Sequence, residues 1–304
     1  MEQGAQYYLR KGNLMKIKHY GDAGTLELKN HLNEDGSLLQ YLQFPSIEKT
    51  GIATHAFSTR IGGVSKGIWS SMNLSFTRGD DPKDAYENFH RYAVLFGVPD
   101  DRLVLPYQTH TVNVRVVTEE DGGKGFTKER DYTDVDGLIT NVPGLVLAIF
   151  VADCVPLLFL DPVHKAIGAS HSGWRGTVNR MGKATIEKMR EIYGTDPKDL
   201  LCAIGPSICR NCYEVSEDVA SEFKKAFPEH ETEILTDDGL NEAGEHKFHL
   251  DLWNANRIVM EEAGVRAGNI SMTDICTNCN PDLLFSHRFT RGKRGNNGAF
   301  IMLK

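Results

Sequence analysis

The chain has 304 residues, 40% of them hydrophobic and 25% charged, with a formal net charge of −7. Such a composition belongs to a globular protein with a full apolar core, not to a disordered or fibrous chain. Net acidity without a basic stripe argues against a general nucleic-acid-binding surface, and no apolar run has the length of a membrane-spanning helix. The start, Met1-Glu2-Gln3-Gly4, has neither the charged region nor the apolar stretch of a secretion signal. A cytoplasmic location is therefore expected, with the six cysteines read as free thiols or ligands rather than as a disulfide framework.

Residues 1–50 read as a polar N-terminal extension with strand-like pieces at Thr25–Leu28 and Leu38–Phe44, expected to pack on the domain formed by residues 51–304 and to cover a sheet edge. Asp81-Pro82 opens a helix in which Ala85, Phe89, Tyr92 or Ala93, and Phe96 recur on one face before Gly97 stops it. Val112–Val117 alternates as a half-exposed strand, whereas Leu145–Val151 and Val155–Leu160 are continuous apolar runs, the pattern of strands buried on both faces. Thr177 is a candidate cap for a second helix carrying Val178, Gly182, Ile186, Met189 and Tyr193 and closed by Gly194. A third helix starts near Ser216 and a fourth near Asp251, and strands at Ile270–Ile275 and Gly298–Leu303 finish the chain. Strands and helices mix without regular alternation, and no repeat or linker divides them. The expected fold is a single α+β domain of mixed β-sheets flanked by helices.

Three strand-like runs lead into candidate ligands. Leu103–Tyr107 precedes Gln108-Thr109-His110, Leu145–Ala152 precedes Asp153-Cys154, and Ala166–Ser170 precedes His171. If these runs are neighbouring strands, two imidazoles and one thiolate meet and leave a fourth tetrahedral position open, as in a catalytic zinc site. Many triplets compete among 11 His and 6 Cys, and a buried thiol or a satisfied core histidine is the commoner outcome. Asp153-Cys154 nevertheless sits between two apolar runs, where a carboxylate and a thiol need partners. A second chemistry stays open, with Cys154 as nucleophile and His171 as its base.

Around these residues lie weaker signals. His171-Ser172-Gly173-Trp174-Arg175-Gly176 puts a guanidinium beside glycines and free helix amides, suited to an anion; Arg175 paired with a core carboxylate is the plainer alternative. Arg60-Ile61-Gly62-Gly63 offers a second such turn. Asn73 and Asp136 suit either substrate contact or the needs of turn backbone, and Trp174 suits either stacking on a base or packing. Arg288, Arg291, Lys293 and Arg294 form a dense basic cluster, read as a solvated loop or as an anion contact near the site. His246-Lys247-Phe248-His249 reads as surface. Cys209-x2-Cys212 and Cys276-x2-Cys279 would in isolation suggest a structural Cys₄ zinc. Their wide separation, in a chain with ample apolar sequence, favours ordinary thiols, and no second zinc is expected.

The motifs Thr59-Arg60-Ile61-Gly62-Gly63-Val64-Ser65, Ser71-Met72-Asn73-Leu74, Gln108-Thr109-His110, Asp136-Gly137-Leu138-Ile139-Thr140, Ala152-Asp153-Cys154-Val155-Pro156, His171-Ser172-Gly173-Trp174-Arg175-Gly176 and Gly205-Pro206-Ser207-Ile208 follow one another in one order. From about Gly51 to the C-terminus the series resembles the bacterial YfiH/YlmD-type purine nucleoside phosphorylases, once described as laccase-like multicopper polyphenol oxidases. The resemblance implies zinc on His110, Cys154 and His171, with copper as the alternative metal. It also implies purine nucleosides (adenosine, inosine, methylthioadenosine) and phosphate as substrates, an adenosine deaminase activity, and a place near the site for Arg60. In one departure the family usually reads Gln-Val-His-Gly where this chain has Gln108-Thr109-His110-Thr111. The older oxidase description fits poorly, since the chain has no His-x-His pair and one soft His₂Cys set does not supply a three-copper cluster. The rival readings are a cysteine hydrolase using Cys154 and His171 and a non-catalytic zinc-binding partner protein.

Overall fold

The computed structural model describes residues 6–10, 13–20 and 26–304. Met1-Glu2-Gln3-Gly4 and Thr25, the first residue of one expected strand, lie outside the described residues. Two six-stranded sheets organise the rest. The first runs, in spatial order, Glu27–Leu32, Leu38–Gln43, Ala53–Ser58, Asn297–Leu303, Val146–Val151 and Leu103–Val104; the second runs Ile270–Met272, Leu201–Ile204, Val155–Asp161, Ala166–Ser172, Gly137–Thr140 and Val114–Val116.

The continuous apolar runs have a direct explanation, because successive residues of a strand point to opposite faces and both faces are covered. Leu158, Leu160, Ile167 and Ala169 of the second sheet pack against Leu147, Ile149, Ala299 and Ile301 of the first in a core shared between the sheets. Leu157 and Phe159 face the other way, onto helices Met181–Tyr193 and Leu252–Glu262 through Ile186, Met189 and Val259. On the outer face of the first sheet, Val146, Ala148 and Phe300 meet Phe89, Tyr92 and Ala93 of the helix Pro82–Phe96. The layers are thus helix, sheet, sheet, helices, within one domain of mixed sheets.

That first helix forms where its punctuation predicts. Asp81 accepts a hydrogen bond from Lys83 N at 2.8 Å, Pro82 occupies the first turn, and Gly97 ends it at φ 70°. Ser216 and Asp251 precede the helices Glu217–Ala226 and Leu252–Glu262 as expected. Other expectations need correction. Thr177 does not cap a long helix; it lies inside the short helix Trp174–Val178, and the chain turns through Arg180 at φ 65° before Met181–Tyr193 begins. Thr177 Oγ1 instead donates back to Gly173 O at 3.0 Å, closing that short turn. The runs Leu103–Tyr107 and Ile270–Ile275 shorten to Leu103–Val104 and Ile270–Met272. Within residues 1–50, Glu27–Leu32 and Leu38–Gln43 are strands of the first sheet, joined to it through Tyr41↔Ser58 and Leu42↔Phe57. The His246–His249 segment belongs to a three-stranded sheet with Glu214–Ser216 and Leu235–Leu240, and its Phe248 is buried.

The two Cys-x2-Cys pairs, expected to be unrelated packing thiols, come together. Leu201–Ile204 and Ile270–Met272 pair in parallel, and the pairing reappears at Ser207↔Cys276, so the two cysteine turns follow adjacent strands side by side. Sequence separation hid a neighbourhood that the sheet register imposes.

Candidate active site

Cys154 sits where the chain crosses from one sheet to the other, in the turn between Val146–Val151 and Val155–Asp161. The crossing is tight. Asp153 takes φ 83°, unfavourable for a residue with a Cβ, and is held there by three bonds: Thr277 Oγ1 and Arg288 N donate to its carboxylate, each at 2.6 Å, and Ile208 N donates to its carbonyl at 3.1 Å. Asp153 is therefore a clamp that aims the next residue. His171 lies opposite Pro156 on the neighbouring strand Ala166–Ser172, which brings it beside Cys154.

His110 arrives by another route. Beyond Val104 the strand ends, and Gln108 mimics a strand partner with its side-chain amide, donating to Phe150 O and accepting from Phe150 N, both at 2.8 Å. The following turn is built on Asp136. One of its oxygens accepts His110 N at 3.1 Å and lies 2.7 Å from His171 Nδ1; the other accepts Thr109 N at 3.0 Å, Thr111 N at 2.9 Å and Thr111 Oγ1 at 3.0 Å. These bonds hold His110 at φ 68°. Thr111, standing where the family usually has glycine, adds its hydroxyl to the same carboxylate.

The outcome is convergence. Candidate ligand atoms of His110, Cys154 and His171 lie within 4.8 Å of one another, and the two imidazoles meet edge to face with centroids 4.8 Å apart. Asp136 occupies His171 Nδ1 and so directs Nε2 toward the cluster. Gly173 is required by space: a Cβ there would lie 3.0 Å from Cys154 Sγ and 3.1 Å from His110 Cδ2. Burial would raise the Asp136 carboxyl, but His171 and the amides of Thr109 and Thr111 outweigh it and bring it down to about 2. Burial likewise opposes charge on Cys154 and His171, yet each stabilises the other's ionised form. The thiol is lowered with His110 assisting, and the imidazole is raised with Asp136 assisting. A thiolate between two imidazoles, one oriented by a carboxylate, is a donor set that fits a metal ion with one position left open.

The cluster forms the floor of a cleft of about 430 Å³, lined also by Phe76, Phe89, Tyr107, Phe150, Arg78, Arg130, Arg294 and Asn296. Of the basic cluster Arg288, Arg291, Lys293 and Arg294, it is Arg294 that lines the cleft. It is buried, its Nη1 donates to Gly295 O and Asn296 Oδ1, and its Nε has no hydrogen-bond partner. Burial, followed by repulsion from Arg78, lowers it to about 10. Among the other residues singled out from sequence, Asn73 is buried behind the wall, donating to Asp80 Oδ2 at 2.9 Å and accepting Asn296 N at 3.0 Å, and so joins the segments that carry Arg78 and Arg294. Arg60, Trp174 and Arg175 do not line the cleft. Arg60 donates to Ser70 O and Pro281 O and lies 4.4 Å over the Phe285 ring; Arg175 is exposed, 4.3 Å over Trp174. Asp136 acts on the turn and on His171, with both oxygens engaged.

A family model described as multi-copper polyphenol oxidoreductase laccase matches residues 54–304. The chain is 35% identical over 252 residues to purine nucleoside phosphorylase YlmD of Bacillus subtilis, covering 82% of this chain and 87% of that one. It is 37% identical over 235 residues to adenosine deaminase RL5 of an unknown prokaryotic organism, covering 77% and 87%. The crystal structure of the hypothetical protein YfiH of Bacillus licheniformis superposes with a TM-score of 0.80 at 31% identity, covering 90% of this chain and 99% of that one. The chain therefore belongs to the YfiH/YlmD family, the purine nucleoside phosphorylases whose family model still carries the laccase description.

Proposed function

We propose that this protein is a zinc-dependent purine nucleoside phosphorylase acting on adenosine, inosine and methylthioadenosine, with an adenosine deaminase activity in the same cleft. The observation that carries this reading is the meeting of His110, Cys154 and His171 at a cleft that Arg78 and the largely buried Arg294 also line. The names of the relatives supply the reaction class.

In phosphorolysis the bond from C1′ to the purine nitrogen breaks, its electron pair leaves with the base, a phosphate oxygen bonds C1′, and a proton reaches the departing purine. The protein's part is binding and orientation. Arg294 and the exposed Arg78 line the cleft and offer guanidinium donors to the phosphate oxygens, a planar guanidinium being suited to two oxygens at once. Phe76, stacked on Phe89, and Tyr107, with Arg130 over its ring, are exposed in the cleft and offer aromatic surface to the purine. His110, Cys154 and His171 would hold the metal, and Asp136 keeps the His171 tautomer that leaves Nε2 free for it. A bound zinc ion supplies Lewis acidity, which suits replacement of the adenine amino group by water. Zinc is favoured over copper because laccase chemistry requires a cluster of copper ions, and among the described residues His110, Cys154 and His171 are the one candidate ligand group containing histidine. Six cysteines without a disulfide fit the reducing cytoplasm.

A second reading has one observation in its favour. Cys154, His171 and Asp136 also form the thiol, imidazole and carboxylate series of a cysteine nucleophile. His110 decides between them, since such a triad has no use for a second imidazole against the thiolate. The test is adenosine and inosine turnover with and without phosphate, following free base, sugar phosphate and ammonia, before and after chelation. Phosphate-dependent base release that chelation abolishes and zinc restores supports the proposal; chelator-insensitive hydrolysis blocked by iodoacetamide supports the nucleophile.

A further inference from the structure

We infer a second metal site, a closed structural zinc held by Cys209, Cys212, Cys276 and Cys279. The four sulfurs lie within 4.8 Å of one another, and Cys212 Sγ is 3.4 Å from Cys279 Sγ. Four sulfurs about 2.3 Å from a central zinc stand about 3.8 Å apart in a tetrahedron, so the observed spacing brackets the metal-bound one and exceeds any disulfide bond. Thiols that merely fill a core pack against apolar neighbours. Here four sulfurs from two turns face one point.

The turns themselves have the form of metal knuckles. Cys212 N returns to Cys209 O at 3.1 Å, and Asn280 N returns to Cys276 O at 3.1 Å, so each pair closes a tight loop that points both thiols the same way. Cys209 N donates to Cys276 Sγ at 3.3 Å, the backbone-to-sulfur bond that supports a thiolate ligand. Cys209 and Cys276 are fully buried, while Cys212 and Cys279 are partly so. No fifth donor is needed, and the set is complete without water, which marks a structural rather than a catalytic site.

The site has a task in the fold. Thr277, between Cys276 and Cys279, donates to Asp153 Oδ1, and Ile208, next to Cys209, donates to Asp153 O. Both knuckles therefore hold the strained residue that aims Cys154. The Cys276–Cys279 turn also anchors the N-terminal segment, since Asn280, which follows it, exchanges bonds of 2.8 Å with both the amide and the carbonyl of Lys18. The metal would bind the two strand ends and that segment into one unit beside the catalytic cleft.

The test uses the full chain with the cleft ligands removed, His110→Ala/Cys154→Ala, so that the two sites are read separately. About one equivalent of zinc should persist per chain and should vanish when Cys209→Ser and Cys276→Ser are added. Exchange with Co²⁺ alone should give strong sulfur-to-metal charge-transfer absorption. Should the combined variant not fold, wild-type protein stripped of metal and titrated with Co²⁺ should take up two spectroscopically distinct equivalents. A double variant without metal whose five remaining thiols all react with a thiol reagent on unfolding would overturn the inference, as would a mass showing disulfides among Cys209, Cys212, Cys276 and Cys279 or a single equivalent taken up by wild type. Activity lost with one zinc retained in the double variant leaves this site standing whatever the fate of the catalytic reading.

Discussion

Replacing Asp136 by Asn removes almost no volume, yet five hydrogen-bond donors converge on that buried carboxylate. With the amide nitrogen in place of the oxygen facing Thr109 and Thr111, two backbone N–H groups lose their acceptor, at about 1–3 kcal/mol each. With the amide turned the other way, His110 N is orphaned, and His171 Nδ1 must accept instead of donate, which moves its proton to Nε2 and blocks that atom as a ligand. Either orientation costs stability, and one also costs the metal. The expected effects are a melting temperature lower by about 3–6 °C, from roughly 2–4 kcal/mol in a chain of this size, and zinc affinity weaker by about 10–100-fold. Competition with a chromophoric chelator measures the affinity, and calorimetry the melting temperature. A variant matching wild type in both would refute the claim that Asp136 builds the site.

Other consequences follow from the same geometry. Arg294→Lys keeps charge but loses the planar fork, so phosphorolysis should fall by about 10–100-fold through the KM for phosphate, with deamination nearly unchanged; equal losses in both reactions would show that Arg294 supports the fold. Phe76→Ala should raise the KM for nucleoside about tenfold, from the value of one base stacked on an aromatic ring, and leave kcat little changed; an unchanged KM would place the base elsewhere. Asp121 is buried and, although burial alone would raise it, bonds from Lys124, Thr118 N and Arg115 lower it to about 2. Its stabilisation, about 2 kcal/mol, is present above the unfolded value near 4 and is lost as pH falls through about 2. Asp121→Asn should therefore be less stable than wild type at neutral pH by denaturant titration, with the difference closing in acid; a constant difference would contradict that linkage.

Local punctuation made part of this fold legible. Asp81, Pro82 and Gly97 mark a helix within their own sixteen or so residues, and the doubly apolar runs announce strands covered on both faces. The apolar runs before His110, Cys154 and His171 only suggested the ligand triplet among many competing ones, and the resemblance singled it out; in the structure the run before His110 ends at Val104 and His171 lies within its strand. What was hidden depends on register between distant strands. The parallel pairing of Leu201–Ile204 with Ile270–Met272 places Cys209 beside Cys276, and no periodicity within either segment encodes it. Arg294 was hidden for another reason: it shares a basic stretch with Arg288, Arg291 and Lys293, and its burial comes from preceding the fully buried strand Asn297–Leu303 by three residues. Arg60 and Arg175 had the composition of anion contacts, but their carbonyl and ring partners hold them outside the cleft.

The central claim is that one metal on His110, Cys154 and His171 serves both reactions. The most direct measurement is the turnover of Cys154→Ala, with inosine and phosphate for base release and adenosine for ammonia, alongside zinc counted per chain. Both activities should disappear together, and the zinc content should fall by one equivalent relative to wild type. Normal turnover of either substrate in a variant that has lost that equivalent would contradict it.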